Sequence, residues 1–397
     1  MSTQSQYRAV SYLAVAQAMA NSCTSVFMTV SALTGQMLAA DPRWATLPLA
    51  LQFVVTMATT IPVAHLMRQL GRRNTFIIGA VVGAAGGGLA MAAIFQSSFI
   101  LFCIGNAIMG VFSASALHLR FAAAEVADDA FRPKAISLVL AGGIVAAIIG
   151  PSLATIGTDM FAPFTFSGAF LFVSLLSLAV ILPLLPVRFA QPTAAEVSGP
   201  QRSTLEILRQ PIAVAALFAG VFGYSTMVFI MTATPLAMKF CGFGIGETAT
   251  VLSFHILGMF GPSFVTGHII RRIGERKVLL AGAGCLVATV VIGLAGIDIL
   301  HFWFALVLLG IGWNFLYVGG TSLLTKCYRP AERAKIQGAN DFLTFTGVAI
   351  CSFIAGAVEQ SWGWNAVLWG ALAPAALILV AVLWGAPRLT RARAVPA

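Results

Sequence analysis

The residues best suited to chemistry in this chain are polar side chains set inside long apolar runs. Gln17 and Asn21 stand four apart, which is one helical turn, and Ser25 continues the same face. Gln52, Asn106, Tyr224, Trp313, Asn314 and Tyr317 lie in other apolar runs. A polar group at lipid depth is costly, and it ordinarily faces a cavity or another helix. Asn and Gln donate and accept, while Trp and Tyr offer flat faces, so this set suits a neutral or weakly charged organic ligand. The competing reading is hydrogen bonding between helices with no ligand involved. Two ionisable residues are candidate proton carriers. His255 sits near the middle of an apolar run and can relay a proton, bind a substrate, or rest neutral on a backbone carbonyl. Asp341 follows Asn340 one to two turns into another run, where a partly desolvated carboxylate can load and unload a proton.

The elements that must position these residues are legible in the hydropathy. The chain has 397 residues, 59% apolar and only 9% charged, against about 25% charged in a soluble globular protein. That excludes an ordinary soluble enzyme, a disordered chain and a nucleic-acid-binding domain. A hydrocarbon core about 30 Å thick needs roughly 20 apolar helical residues. Twelve such runs follow one another: 10–38, 46–67, 74–95, 98–121, 134–157, 162–186, 212–238, 246–270, 277–297, 300–324, 336–358 and 363–385. They are spans one to twelve below. The expected fold is an all-α integral membrane protein. Arg8 precedes a run that continues to Leu38 without a short signal-peptide pattern, so that run reads as a retained first span. The six cysteines form no C-x-x-C pair, and the methionines are dispersed. Neither a disulfide framework nor a metal site is expected. No nucleotide-binding Gly-x4-Gly-Lys loop, Gly-x-Ser-x-Gly elbow or His-Glu-x2-His pair occurs, so neither ATP drive nor hydrolytic chemistry is indicated, and no cofactor is expected.

Charge sets the orientation. Of the 23 Lys and Arg residues, only Arg43 and Lys239 fall on one face of the twelve-span arrangement. The rest lie on the face that carries both termini, which the positive-inside rule makes cytoplasmic. The formal charge of +10 is therefore a topology signal, with attraction to anionic lipid as a secondary effect.

The longest polar stretch, 188–211, separates two sets of six spans, giving an N-terminal bundle (1–187), a cytoplasmic linker and a C-terminal bundle (212–397). The two sets echo each other. After span two the chain reads Ala64-His-Leu-Met-Arg68-Gln-Leu-Gly71-Arg72-Arg73, and after span eight Gly267-His-Ile-Ile-Arg271-Arg272-Ile-Gly274-Glu275-Arg276, an offset of 203 residues. Arg132-Pro-Lys134 and Arg333-Ala-Lys335 repeat at an offset of 201. Matching register across two loops indicates a duplicated six-helix unit, and parallel repeats of this kind mark transporters.

These features together resemble the major facilitator superfamily along the whole chain. The family's loop motif is Gly-x3-Asp-Arg-x-Gly-Arg-Arg. Gly71, Arg72 and Arg73 match its end; in the second copy Gly267, Arg272, Gly274 and Arg276 match. Both copies carry Arg, as Arg68 and Arg271, where the family has Asp. The resemblance implies two pseudo-symmetric bundles whose spans one, four, seven and ten line a central cavity, placing Gln17, Asn21, Asn106, Tyr224, Trp313, Asn314 and Tyr317 there. It also implies a structural role for Asp341. The loop acid is replaced by Arg68, and a swapped Arg68–Asp341 pair would latch the cytoplasmic side. Glu125 would meet Arg271 or Arg272 across the halves in the same way. Gly150-Pro151 in span five resembles the antiporter hinge, and Gly261-Pro262 in span eight is an expected kink in a gating helix.

The function expected is a secondary transporter, not an enzyme. It moves a small neutral or amphipathic solute by alternating access, with the proton as coupling ion and the bilayer as its surroundings, and it works as a monomer in the inner membrane. Efflux by antiport follows from the Gly150-Pro151 hinge. Uptake of a neutral nutrient or vitamin-like compound is the alternative, because the span-four Arg of many proton-driven members is Asn106 here. A lipid flippase or a receptor is the alternative of another class.

Overall fold

The computed structural model describes residues 3–127, 135, 138–139, 141–187, 189, 202–329 and 332–391. Among these residues the chain is helical throughout its spans. The N-terminal set comprises Thr3–Leu38, Leu47–Leu70, Arg72–Phe95, Phe99–Ala116 continued by Leu119–Val126, Gly142–Thr158, and Ser167–Ala179 continued by Ile181–Leu184. The C-terminal set comprises Pro211–Phe240, Ile245–Phe260 with Ser263–Ile273, Glu275–Ala295, Ile299–Leu324, Arg333–Gly370 and Leu372–Arg391.

Nine of the described helices are individually long and apolar enough to cross a membrane. Two further spans are recovered from their breaks. Ile245–Phe260 and Ser263–Ile273 bend by 41° at Gly261-Pro262, because the Pro ring has no N–H and clashes with the preceding turn. The apolar helical stretch Lys335–Gly385 holds 51 residues. At 1.5 Å per residue it would run about 77 Å, more than twice a hydrocarbon core. Gly363, at φ 76 and ψ 179, turns it back and divides span eleven from span twelve. Gly142–Thr158, a shorter apolar helix, supplies the described part of span five.

The repeat seen in the loops is also a repeat of backbone conformation. Gly71 has φ 79 and ψ 159, and Gly274 has φ 88 and ψ 157. That region is essentially closed to residues with a Cβ. Each glycine ends one helix and starts the next, so the two copies of the motif make the same sharp turn.

Among the described residues there are two apolar cores. One is built from residues between Ala9 and Val187 with Leu236 added, and the other from residues between Ile207 and Val382 with Phe53 added. The halves meet along spans two and eleven, spans five and eight, and spans one and seven. Polar pins join them at the end remote from the linker. Thr46 Oγ1 donates to Phe353 O at 3.1 Å and accepts from Gly356 N at 3.2 Å. Lys239 Nζ donates to Gln36 Oε1 at 2.9 Å. The Trp44 ring lies over Phe353, centroids 5.8 Å apart. That remote end is closed.

Candidate functional site

Aromatic side chains from four spans converge at mid-depth in the C-terminal half. Trp313 and Tyr317, one turn apart on span ten, stack with centroids 5.0 Å apart and planes within 9°. Tyr224 of span seven stands 5.4 Å from Trp313 and 5.6 Å from Tyr317. Phe345 of span eleven lies 6.0 Å from Tyr224, and Phe260 of span eight 5.9 Å from Trp313. Gly143 of span five approaches the Phe260 ring so closely that a Cβ there would collide with it. The cluster therefore abuts the N-terminal half. The Trp313 Nε1 proton is buried without a hydrogen-bond partner. A flat apolar platform beside an unused donor can stack on a flat ligand that carries acceptors.

In the N-terminal half, Gln17 Nε2 donates to Asn21 Oδ1 at 2.8 Å, and both side chains are partly exposed. Gln52 Nε2 donates to Ser113 Oγ at 3.0 Å, while its Oε1 is buried without a partner. Unused polar atoms thus occur in both halves.

Other polar residues expected in the site hold helices together. Asn314 accepts from Thr266 Oγ1 at 2.7 Å, and its Nδ2 donates to Met259 O and Ser263 Oγ at 2.7 Å. It spans the break at Gly261-Pro262 and caps carbonyl and hydroxyl groups that the kink releases. Asn106 donates to Phe102 O at 2.7 Å and accepts from Ser31 Oγ at 3.4 Å, fully buried. His255 is fully buried, and its Nδ1 donates to Leu306 O of span ten at 2.8 Å. That is the backbone-carbonyl alternative of the sequence reading, although Nε2 stays buried and unpartnered. Asp341, half-buried, accepts from Asn340 Nδ2 at 3.2 Å. Gly150 lies against Ser25, with room for no Cβ, and with Pro151 it sits inside the span-five helix packed on span one.

The loop residues occupy the linker-side end. Arg73 Nη2 donates to Val187 O, tying the motif to the end of span six. Arg72 Nη1 approaches Met67 Sδ at 3.8 Å. Arg271 and Arg272 are exposed in the last helical turn before Gly274, and Gly267 stands in open space one turn earlier. The side chains of Arg68 and Glu125 lie outside the described residues, so the pairings expected of them are not placed. Among the described residues no group of three or more His, Cys, Asp or Glu is arranged to hold a metal.

Sequence reasoning missed Phe260, Phe345, Thr46 and the linker lock. Arg202 grips Glu332 through Nε at 2.9 Å and Nη2 at 2.7 Å, and its backbone N reaches the same carboxylate at 2.8 Å. Arg329 N adds a fourth bond at 2.9 Å. The bonds from Arg202 hold the Glu332 carboxyl well below its ordinary 4.5, against the burial that would raise it.

Two packed half-bundles that share a repeated loop turn define a transporter architecture. The family model described as Major Facilitator Superfamily matches residues 11–340 and 243–396. The chain belongs to the Major Facilitator Superfamily. It is 40% identical over 380 residues to the riboflavin transporter RfnT of Brucella anthropi, covering 95% of both chains. It is 31% identical over 333 residues to the uncharacterized MFS-type transporter YdeG of Bacillus subtilis, covering 80% of this chain and 77% of that one. In structure it resembles the nucleoside transporter NupG, solved as a point mutant, at a TM-score of 0.69 with 14% identity, covering 94% of this chain and 98% of that one. It is a multi-pass membrane transporter of a small molecule, not an enzyme.

Proposed function

We propose that this chain carries riboflavin or a closely similar neutral heteroaromatic solute into the cell, with protons as the coupling ion. The observation that supports this reading is the aromatic platform of Tyr224, Trp313, Tyr317, Phe260 and Phe345 with its unused Trp313 Nε1 donor. A fused heteroaromatic ring presents a flat apolar face and edge acceptors, and both have counterparts in the platform. Gln17, Asn21 and Gln52 would take the polar side chain of the solute from the opposite half. The 40% identical relative named as a riboflavin transporter makes this solute the first to test. The polar residues named for the site carry no charge, which disfavours a flavin phosphate ester, since that wants Arg or Lys clamps.

In this reading both termini and the linker are cytoplasmic, the protein sits in the inner membrane, and it acts as a monomer. His255 and Asp341 remain proton-carrying candidates. Arg68 with Asp341, and Glu125 with Arg271 or Arg272, remain proposed latches of the linker side. The second reading, efflux by antiport, is favoured by the Gly150-Pro151 pair in span five.

The test is counterflow of labelled riboflavin in proteoliposomes, followed by addition of riboflavin under an imposed proton gradient with an internal pH dye. Riboflavin counterflow, with the flavin phosphate ester excluded, supports the substrate class. Counterflow of another solute but not riboflavin overturns it. Co-directional proton movement identifies uptake by symport, and opposed movement identifies efflux. Loss of the pH signal in His255→Ala or Asp341→Asn, with counterflow retained, assigns the carrier.

A further inference from the structure

Glu359 is a buried acid near the end of span eleven, and nothing above gives it a role. It is 5% exposed. Its one hydrogen bond described comes from a neutral amide, Gln360 Nε2, at 3.0 Å. Among the described residues no cation forms an ion pair with it. Four titratable groups on the elements that meet at this end have other partners. Lys239 is on Gln36, Arg43 on Asp41, Glu247 on the Gly244 N–H, and His301 stands 3.8 Å from Asp298. Burial pushes up the thiol of Cys241, in the turn after span seven, and an ionised Glu359 would push it further.

Glu359 also stands next to the pin that closes the remote end. Thr46 of the N-terminal half is bonded to Phe353 O and Gly356 N, the two turns of span eleven that precede Glu359. Gly356 packs against Thr46 so closely that a Cβ there would collide with the threonine side chain. With that seam shut, the carboxyl is buried and receives only an amide. Burial strongly disfavours an ionised carboxylate so placed without a cation. When the seam opens, water reaches span eleven and solvates the charge.

We propose that Glu359 is the proton-binding group of the remote gate, taking up one proton from that side as the Thr46–span eleven seam closes and releasing it when the seam opens. This rests on the transporter reading of the fold but not on which solute is carried. It couples gate closure to proton uptake from the face opposite the linker; because reopening returns the proton to that same face, Glu359 sets the pH response of the gate and does not itself carry a proton across. No covalent step is involved; one proton moves from water to a carboxylate oxygen.

The test measures the gate directly, without substrate. Spin labels are placed at Pro42→Cys and Gly246→Cys, on opposite halves at the remote end, in the full chain with its native cysteines replaced by serine. Interlabel distances are recorded in nanodiscs between about pH 5 and about pH 8. The wild-type glutamate should shift the closed-to-open ratio toward open as pH rises, by up to about tenfold per pH unit for one proton. Glu359→Gln should stay closed across the range, and Glu359→Asp should restore the response. A wild-type distribution that does not change with pH overturns the proposal, and so does a Glu359→Gln response equal to the wild type. Because no flavin is present, failure here is distinct from failure of the substrate assignment, which the counterflow experiment reads.

Discussion

Trp313 carries the sharpest expectation among single residues, since it touches three other rings and holds an unused donor. Stacking of a heteroaromatic ring on such a face is worth about 1–3 kcal/mol. Trp313→Ala should therefore raise KM for riboflavin about fivefold to about 160-fold in proteoliposome uptake, and Trp313→Phe should recover part of that loss. An unchanged KM in the alanine variant would remove the platform from the site. Asn314 makes the contrasting case. Its three bonds join spans eight and ten across the kink, and bonds between membrane helices average about 0.6 kcal/mol each. Asn314→Ala should lower thermal stability by roughly 2 kcal/mol in detergent, measured by unfolding, and affect transport only through that loss. Both residues are polar groups in an apolar run, adjacent in sequence. Only the direction each side chain takes from the helix separates platform from staple.

At the scale of elements, the duplicated loop and the linker lock behave differently. Gly71 and Gly274 adopt nearly the same left-handed extended conformation. Gly274→Ala should cost about 1–3 kcal/mol through backbone strain, visible as a lower melting temperature. Gly71→Ala should match it because the geometry matches. The Arg202–Glu332 lock predicts a pH dependence. The Glu332 carboxyl is held below 4.5 in the folded state. The folded state therefore keeps this stabilisation above the unfolded value near 4.5 and loses it as pH falls through the lower folded value. Wild-type melting temperature should drop more steeply below about pH 4.5 than that of Glu332→Gln, which cannot titrate there. Parallel pH profiles would show that the linker is not held by this pair. The repeat was readable because glycine at fixed spacing leaves a mark in the sequence. The lock was not, because Arg202 and Glu332 are 130 residues apart and each looks like an ordinary loop charge.

For the whole molecule, the closed remote end rests on few polar contacts, so its balance should respond to small changes. Thr46→Val removes the hydroxyl that bonds both Phe353 and Gly356 while keeping its shape. At roughly 0.6 to 1.7 kcal/mol for interhelical bonding, the closed-to-open ratio should fall about threefold to about eighteenfold. The spin-label pair described for Glu359 reads this shift, and an unchanged ratio would mean that apolar packing between spans two and eleven alone holds the seam.

The amino-acid sequence by itself determined the class of molecule, the membrane spans, the two-fold repeat and the family. Each depends on properties that local stretches carry: runs of about 20 apolar residues, the asymmetric placement of Lys and Arg, and glycines that only one backbone conformation explains. Pro262 and its kink belong to the same group, since ring and missing N–H act on the nearest turn. The tertiary structure decided which polar residues tie one helix to another. Asn106, Asn314 and His255 turn inward to neighbouring helices, whereas Trp313, Tyr224 and Tyr317 gather with Phe260 and Phe345, which no polar signal marked. It also pinned Thr46 to Phe353 and Gly356, partners more than 300 residues away in the chain, on the helix that carries Glu359 one turn further on. Hydropathy places a residue at a depth in the membrane, but partnership depends on the rotation and tilt of every helix, and those are settled only when all the spans pack at once.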